Sequence, residues 1–144
     1  MSFEDLLARA VLSTSSDAII ASDREGTIVF WNPGAERIFG YSSDTAIGQS
    51  LDIIIPERLR KRHWQGYSRV IESGESRYGQ GDVLAVPGIR MDGTSVSIEF
   101  TIIPLRDGGG RLIGLAAIMR DVTKRFEETR ALKQRLAEAT RAPS

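Results

Sequence analysis

The sequence predicts an α+β domain: a five-stranded antiparallel sheet with helices on one face, flanked by a helix at each end. Three observations predict it. Runs rich in β-branched and aromatic residues come in neighbouring pairs joined by short Asp- and Gly-containing turns, the pattern of antiparallel hairpins. Between the second and third runs lie helix caps, prolines and helical periodicity with no strand among them, so the β-α-β alternation of a parallel sheet is absent. The chain closes on a polar stretch with helical spacing.

The chain has 144 residues, enough for one ordinary domain with short extensions. Hydrophobic residues are 41% and charged residues 26%, a folded rather than a disordered composition. Nineteen basic side chains balance 19 acidic ones, which ranks nucleic acid low among partners. Without cysteine, disulfides, thiolate metal sites, cysteine nucleophiles and thiol-linked chromophores are excluded. No apolar run approaches the roughly 18 to 20 residues that span a bilayer. Met1 to Asp5 is acidic where a signal peptide would be basic. A cytoplasmic protein with no membrane partner is the expectation.

The elements follow in order. Ser2 and Asp5 form a capping-box pattern ahead of a helix whose Phe3, Leu6, Leu7, Ala10 and Val11 share one face. The run Ser13-Thr14-Ser15-Ser16 ends it. Ala18 to Ala21 and Thr27 to Trp31 read as strands around the turn Asp23-Arg24-Glu25-Gly26. Asn32 is a helix N-cap with Pro33 at N1, and Gly40 closes that helix. Ser42-Ser43-Asp44 starts a short helix ending near Gly48. Pro56 opens the longest central helix, ending at about Gly74, with Leu59, Tyr67, Val70 and Ile71 as apolar positions. His63, the sole histidine, stands between Leu59 and Tyr67 on that stripe.

Val83 to Arg90 reads as a strand running into the tight turn Asp92-Gly93. From Thr94, Val96, Ile98, Phe100 and Ile102 face one way; Ser95, Ser97, Glu99 and Thr101 face the other. Asp107 to Gly110 is a loop, and Leu112 to Val122 is the last strand. Lys124 to Ala139 is a polar helix in which Val122, Thr129 and Leu136 share one heptad phase, with Leu132 and Ala139 at the other. Such a helix is marginal alone, so it is expected to pack on a second copy or to continue as a signalling helix.

Several fragments together resemble the PAS domain, a small sensory module. They are Ser16-Asp17-Ala18-Ile19-Ile20, Gly26-Thr27-Ile28-Val29-Phe30-Trp31-Asn32 and Ala35-Glu36-Arg37-Ile38-Phe39-Gly40-Tyr41, then Arg90-Met91-Asp92-Gly93-Thr94 and Met119-Arg120-Asp121-Val122-Thr123. The last is similar to the Asp-Ile-Thr signal-transfer motif, with Val122 in the Ile place. The resemblance implies an N-terminal helix over 1–14, a PAS domain over 15–123 and a signalling or dimerisation helix and tail over 124–144. It also implies signal transfer through Asp121, Val122 and Thr123, although local hydrogen bonding explains Asp121 and Thr123 equally well.

The stretch Pro56-Glu57-Arg58-Leu59-Arg60-Lys61-Arg62-His63 is similar to the helix that ligates iron in haem-binding oxygen sensors of the FixL and DosP type. That resemblance implies haem b held by His63, with Arg69 near a propionate. Phe100 and Ile102 occupy the family's apolar distal positions. Tyr67, Leu115 and Met119 are further candidate pocket residues. An imidazole on an apolar helix face is chemically suited to iron. Gly66, Gly114, Ala116 and Ala117 are expected to leave room. The family's distal polar residues map near Leu84 and Asp82, so Leu84 would leave bound O₂ without a hydrogen bond, favouring carbon monoxide, nitric oxide or redox sensing. Arg77 and Tyr78 are alternative polar groups. The alternative is a haem-free PAS module for dimerisation or protein interaction, with no ligand or a small metabolite. A lone histidine on such a face also serves as an ordinary core residue.

The remaining patterns are structural. Arg58, Arg60, Lys61 and Arg62 read as a solvated helix face. Gly108-Gly109-Gly110 lacks the Lys-Ser/Thr of a phosphate loop. Trp31 reads as core and Trp64 as peripheral or at a subunit contact. With no nucleophile-base set, no enzyme is expected. The expected role is a sensor that relays gas or redox state through the tail helix, as a homodimer, to an output or partner in trans.

Overall fold

The computed structural model describes residues 1–74 and 85–141. Helix α1 (Phe3–Leu12) precedes strands β1 (Ala18–Asp23) and β2 (Ile28–Trp31). Helices α2 (Pro33–Phe39), α3 (Ser43–Ala46) and α4 (Arg60–Ser73) follow, with 3-10 turns at Leu51–Ile54 and Glu57–Leu59. Strands β3 (Ala85–Ile89), β4 (Ser95–Arg106) and β5 (Leu112–Asp121) lead into α5 (Thr123–Arg141). The five strands form one sheet in the order β2-β1-β5-β4-β3, every neighbouring pair antiparallel. The first and last strands of the chain's core thus meet in the middle, and β5 carries its end directly into α5.

Local chemistry explains the boundaries. The α1 capping box forms as expected, with Ser2 Oγ accepting from the Asp5 amide and the Asp5 carboxylate accepting in return. Gly40 ends α2 at φ 88°, a left-handed conformation that costs a side-chain-bearing residue steric strain. The 3-10 turn at Leu51–Ile54 has no helical periodicity to announce it; Ser50 caps it through the Asp52 amide. Residues 83 and 84 of the expected third strand lie outside the described residues.

Asn32 does more than cap α2. Its Oδ1 accepts from Ala35 at 2.9 Å and from Ile19 in β1 at 2.7 Å, while Nδ2 donates to the carbonyls of Thr14 and Asp17. Both donors and both acceptor sites of a fully buried amide are satisfied, so one side chain joins the α1–β1 linker, β1 and α2.

The registers put one face of the sheet inside. Ile20 lies opposite Trp31 on one side and Ala117 on the other, and Ala117 lies opposite Ile102. Ala18, Met119 and Phe100 form the next row. All of these but Ala117, which is itself buried, join Ala35, Ile38, Phe39, Leu51, Ile54 and Tyr67 from the helical side in one hydrophobic cluster. The sheet and its helical lid therefore bury each other's apolar faces, as layered domains must. Among the described residues, α1 buries none of its side chains.

Candidate functional site

The inner face carries Phe100 and Ile102 on β4 and Leu115 and Met119 on β5. Phe100 faces Met119 across the strand pair. Leu115 is buried, and the other three are half-buried against the core cluster. Strand alternation puts Phe100 and Ile102 on one face of β4, as the sequence pattern predicts, and Leu115 and Met119 on one face of β5. Leu84, together with Arg77, Tyr78 and Asp82, lies outside the described residues.

Helix α4 covers this face. Tyr67 is buried in the core cluster, and His63 lies one turn before it with ring centroids 5.9 Å apart. Trp64 meets His63 edge-on at 4.6 Å and Tyr67 at 5.3 Å. His63 Nδ1 is buried and has no hydrogen-bond partner, the one such side-chain atom among the described residues. Burial pulls the imidazole's pKa down to about 4, against a raising influence from Asp52. The ring is therefore neutral near pH 7, the form in which it can ligate a metal. Among the described residues no cluster of three or more His, Cys, Asp or Glu side chains is placed to hold a metal ion, so His63 would be the sole nitrogen donor.

Three expectations need correction. Trp64 is half-buried, not peripheral: its Nε1 donates to Asp52 Oδ1 at 2.7 Å. Arg60 is not part of a solvated face; its guanidinium reaches back to the carbonyls of Ile55 and Asp52 and ties the start of α4 to the preceding 3-10 turn. Of the small residues on β5, only Ala117 points to the inner face. Gly114 and Ala116 alternate to the other side, and a Cβ on Gly114 would sit 2.2 Å from the Ser22 carbonyl, so that glycine permits β1 and β5 to approach. Arg69 is exposed, and its Nε bonds the Gln65 carbonyl of its own helix.

The end of β5 forms a second constellation. Asp121 Oδ1 accepts from both the amide and the hydroxyl of Thr123. Thr123 Oγ1 in turn accepts from the Ser97 amide of β4, and the Val122 amide donates to the Ser97 carbonyl. The start of α5 is thereby stitched to the sheet. Arg90, which the sequence reading passed over except as part of a motif, completes the set: it donates to Asp121 Oδ2, to the Ile38 carbonyl on α2 and to the Ser95 carbonyl. Burial pushes the Asp121 carboxyl up, but the Thr123 hydroxyl and amide together with Arg90 outweigh it and hold the pKa below its usual value. The signal that could have found Arg90 is a cation just before a tight Asp-Gly turn, where the hairpin end meets the chain's exit. Beside this network, Ser16, Asp17, Arg37, Arg120 and Lys124 line a cleft of about 550 Å³. The linker from α1 and the root of α5 therefore share one corner of the domain.

A five-stranded antiparallel sheet, a helical lid and a last strand stitched to an outgoing helix define a module of the α+β class. The chain belongs to the PAS-fold family, whose sequence profile matches residues 12–127. It is 35% identical over 129 residues to the sensor protein FixL of Bradyrhizobium diazoefficiens, covering 89% of this chain and 25% of that protein. It is 28% identical over 108 residues to the oxygen sensor protein DosP of Escherichia coli, covering 73% of this chain and 13% of that one. The chain thus spans a quarter or less of these curated relatives. Among solved structures it resembles a PAS domain from Colwellia psychrerythraea with a TM-score of 0.72 and 27% identity, over 85% of this chain and 99% of that one. The protein is a PAS sensory domain related to parts of larger sensor proteins.

Proposed function

We propose that this PAS domain binds haem b through His63 and reports gas or redox state through α5. The carrying observation is the buried, unpaired Nδ1 of a neutral imidazole on α4, one turn before the core residue Tyr67, in a domain whose inner face carries Phe100, Ile102, Leu115 and Met119. A buried polar atom without a partner costs free energy, and a function that uses the ring offsets that cost. One imidazole and an apolar wall suit a flat macrocycle that needs a single axial ligand. When bound, the haem iron would supply a site for diatomic ligands or electrons. His63 would hold it, the apolar wall would exclude water, and exposed Arg69, about 1.7 turns further along α4, would offer a cation to a propionate. The similarity to an oxygen sensor supports the same class of stimulus. A change at His63 would shift α4 against the sheet, and β5 would carry the shift through Asp121, Val122 and Thr123 to an output or partner in trans. Titration of the purified protein with hemin should produce a Soret band that His63→Ala abolishes. Absence of a band in the wild type would overturn the reading.

A second reading has its own observation. Phe3, Leu7, Leu132 and Leu136 are exposed apolar side chains on α1 and α5, at 91%, 64%, 63% and 67%. Covered by a second copy, they would make this a haem-free dimerisation module. Sedimentation of a Phe3→Glu, Leu7→Glu, Leu132→Glu variant tests it: a dimer that dissociates supports it, and an unchanged sedimentation coefficient overturns it.

A further inference from the structure

Tyr67 does not end on its own helix. Its hydroxyl donates to the carbonyl of Asp23 at the end of β1, and Ser22 Oγ lies 2.9 Å from the same phenol oxygen. A phenol has one proton to give. With that proton on the Asp23 carbonyl, the Ser22 hydroxyl donates and the phenol oxygen accepts. Both side chains are buried, and Ser22 is one of two buried polar side chains among the described residues, the other being Asn32.

The position of this pair matters. Ser22 lies opposite Leu115 of β5, in the inner-face row next to that of Ile20 and Ala117. The Tyr67 side chain therefore spans from the lid helix to β1, the strand beside the inner-face residues of β5. One turn earlier on α4 stands His63, and beside it Trp64 ties the same helix to Asp52. Trp64 also covers the β1–β2 turn: a Cβ on Gly26 would lie 2.2 Å from its ring. The helix is thus fastened near the imidazole at two points, by a phenol to β1 and by an indole to the 3-10 turn.

We infer that Tyr67 is a latch between lid and sheet: its bonds to Ser22 and Asp23 hold α4 against β1 in the ligand-free protein, and a planar ligand as wide as a porphyrin is admitted to the inner face when they open. The identity of that ligand rests on the proposed haem reading; the latch does not. Phenylalanine at 67 keeps the ring and its burial, but strands the Ser22 hydroxyl and leaves the Asp23 carbonyl with the Gly26 amide alone, so the open state gains. Two neutral hydrogen bonds of ordinary net strength correspond to roughly a tenfold to hundredfold shift in that equilibrium.

The test compares the ligand-free 144-residue chain with Tyr67→Phe and Ser22→Ala. Amide hydrogen exchange is read segment by segment, and hemin affinity is read from the Soret band. The expected result is exchange of the α4 amides accelerated about tenfold or more in Tyr67→Phe and roughly threefold or more in Ser22→Ala, with α2 and the β4–β5 pair unchanged, and hemin binding tightened in the same variants. Ser22→Ala, a smaller change, keeps the test alive should Tyr67→Phe fold poorly. Unchanged α4 exchange in a folded variant overturns the latch, and so does weaker hemin binding alongside normal sedimentation. Should neither wild type nor variants bind hemin, the haem reading falls while the exchange data alone decide the latch.

Discussion

Arg90 and Asp121 meet at 3.3 Å across the base of the sheet, and through them the β3–β4 hairpin, α2 and the root of α5 share one hydrogen-bonded network. The ion pair is partly exposed, so charge attraction alone contributes little. What distinguishes Arg90 is its fork: one guanidinium serves the Ile38 and Ser95 carbonyls, the Thr94 hydroxyl and the Asp121 carboxylate together.

Arg90→Ala is therefore expected to lower stability by about 1–3 kcal/mol, chiefly through the carbonyls it leaves unpaired. Arg90→Lys should recover less than half of the loss, because an ammonium cannot present donors in a planar fork. Urea unfolding midpoints check both. Equal stability of Arg90→Ala and wild type would show that water replaces the guanidinium at no cost.

Asn32→Ala should be among the most damaging single polar changes. It removes an N-cap and strands the Ile19 amide and the Asp17 carbonyl, while the Thr14 carbonyl keeps only the Gly34 amide. A loss of about 3 kcal/mol or more is expected. Asn32→Asp keeps the acceptors but loses both donors and buries a charge, so it should rescue little. Thermal melts of the two variants, read against wild type, measure the difference.

Gly34→Ala tests a close approach rather than a turn. A Cβ there would lie 1.8 Å from the Asp17 carbonyl oxygen, so backbone must move. Alanine is normally the better helix residue by about 1 kcal/mol. Here the sign should reverse, with a net loss of about 2 kcal/mol or more in denaturant unfolding. A stabilised variant would mean that the linker yields freely.

Stability of the haem-free protein should fall as pH drops below the ordinary histidine range. Folding lowers the His63 pKa from 6.5 to about 4, so between those values the unfolded chain binds a proton that the folded one refuses. The contribution is fully present above 6.5 and declines as pH falls towards 4, with a slope of at most about 1.4 kcal/mol per pH unit. Asp121, also depressed, adds a second decline below the ordinary carboxylate range, where its network is protonated. Unfolding midpoints collected across this range should flatten in His63→Phe between pH 6.5 and 4, leaving only the lower decline. A slope that survives the substitution assigns the effect to another group.

Much of the architecture was legible along the chain because its rules are local. Ser2 with Asp5, Asn32 with Pro33, and Gly40 mark helix ends through contacts a few residues apart. The alternation from Val96 to Ile102 identifies the inner face without reference to any partner strand. The PAS resemblance supplied the topology, and the Asp-Val-Thr end of β5 marked the exit of α5. Less was legible at the candidate site. His63 could be placed on the apolar stripe of α4, but not Trp64 on Asp52, nor the close approach of the Ser22 backbone that Gly114 permits.

By itself, then, the sequence determined the order and type of the elements, the caps that end them and the residues that line the inner face. Folding in three dimensions decided which distant groups meet: Tyr67 with Ser22 and Asp23, Arg90 with Ile38 and Asp121, Asn32 with Thr14 and Ile19. The reason is one of range. Periodicity and capping act within a turn or two of chain, whereas a hydrogen bond between residues 45 positions apart exists only once lid and sheet have packed and fixed the distance between them.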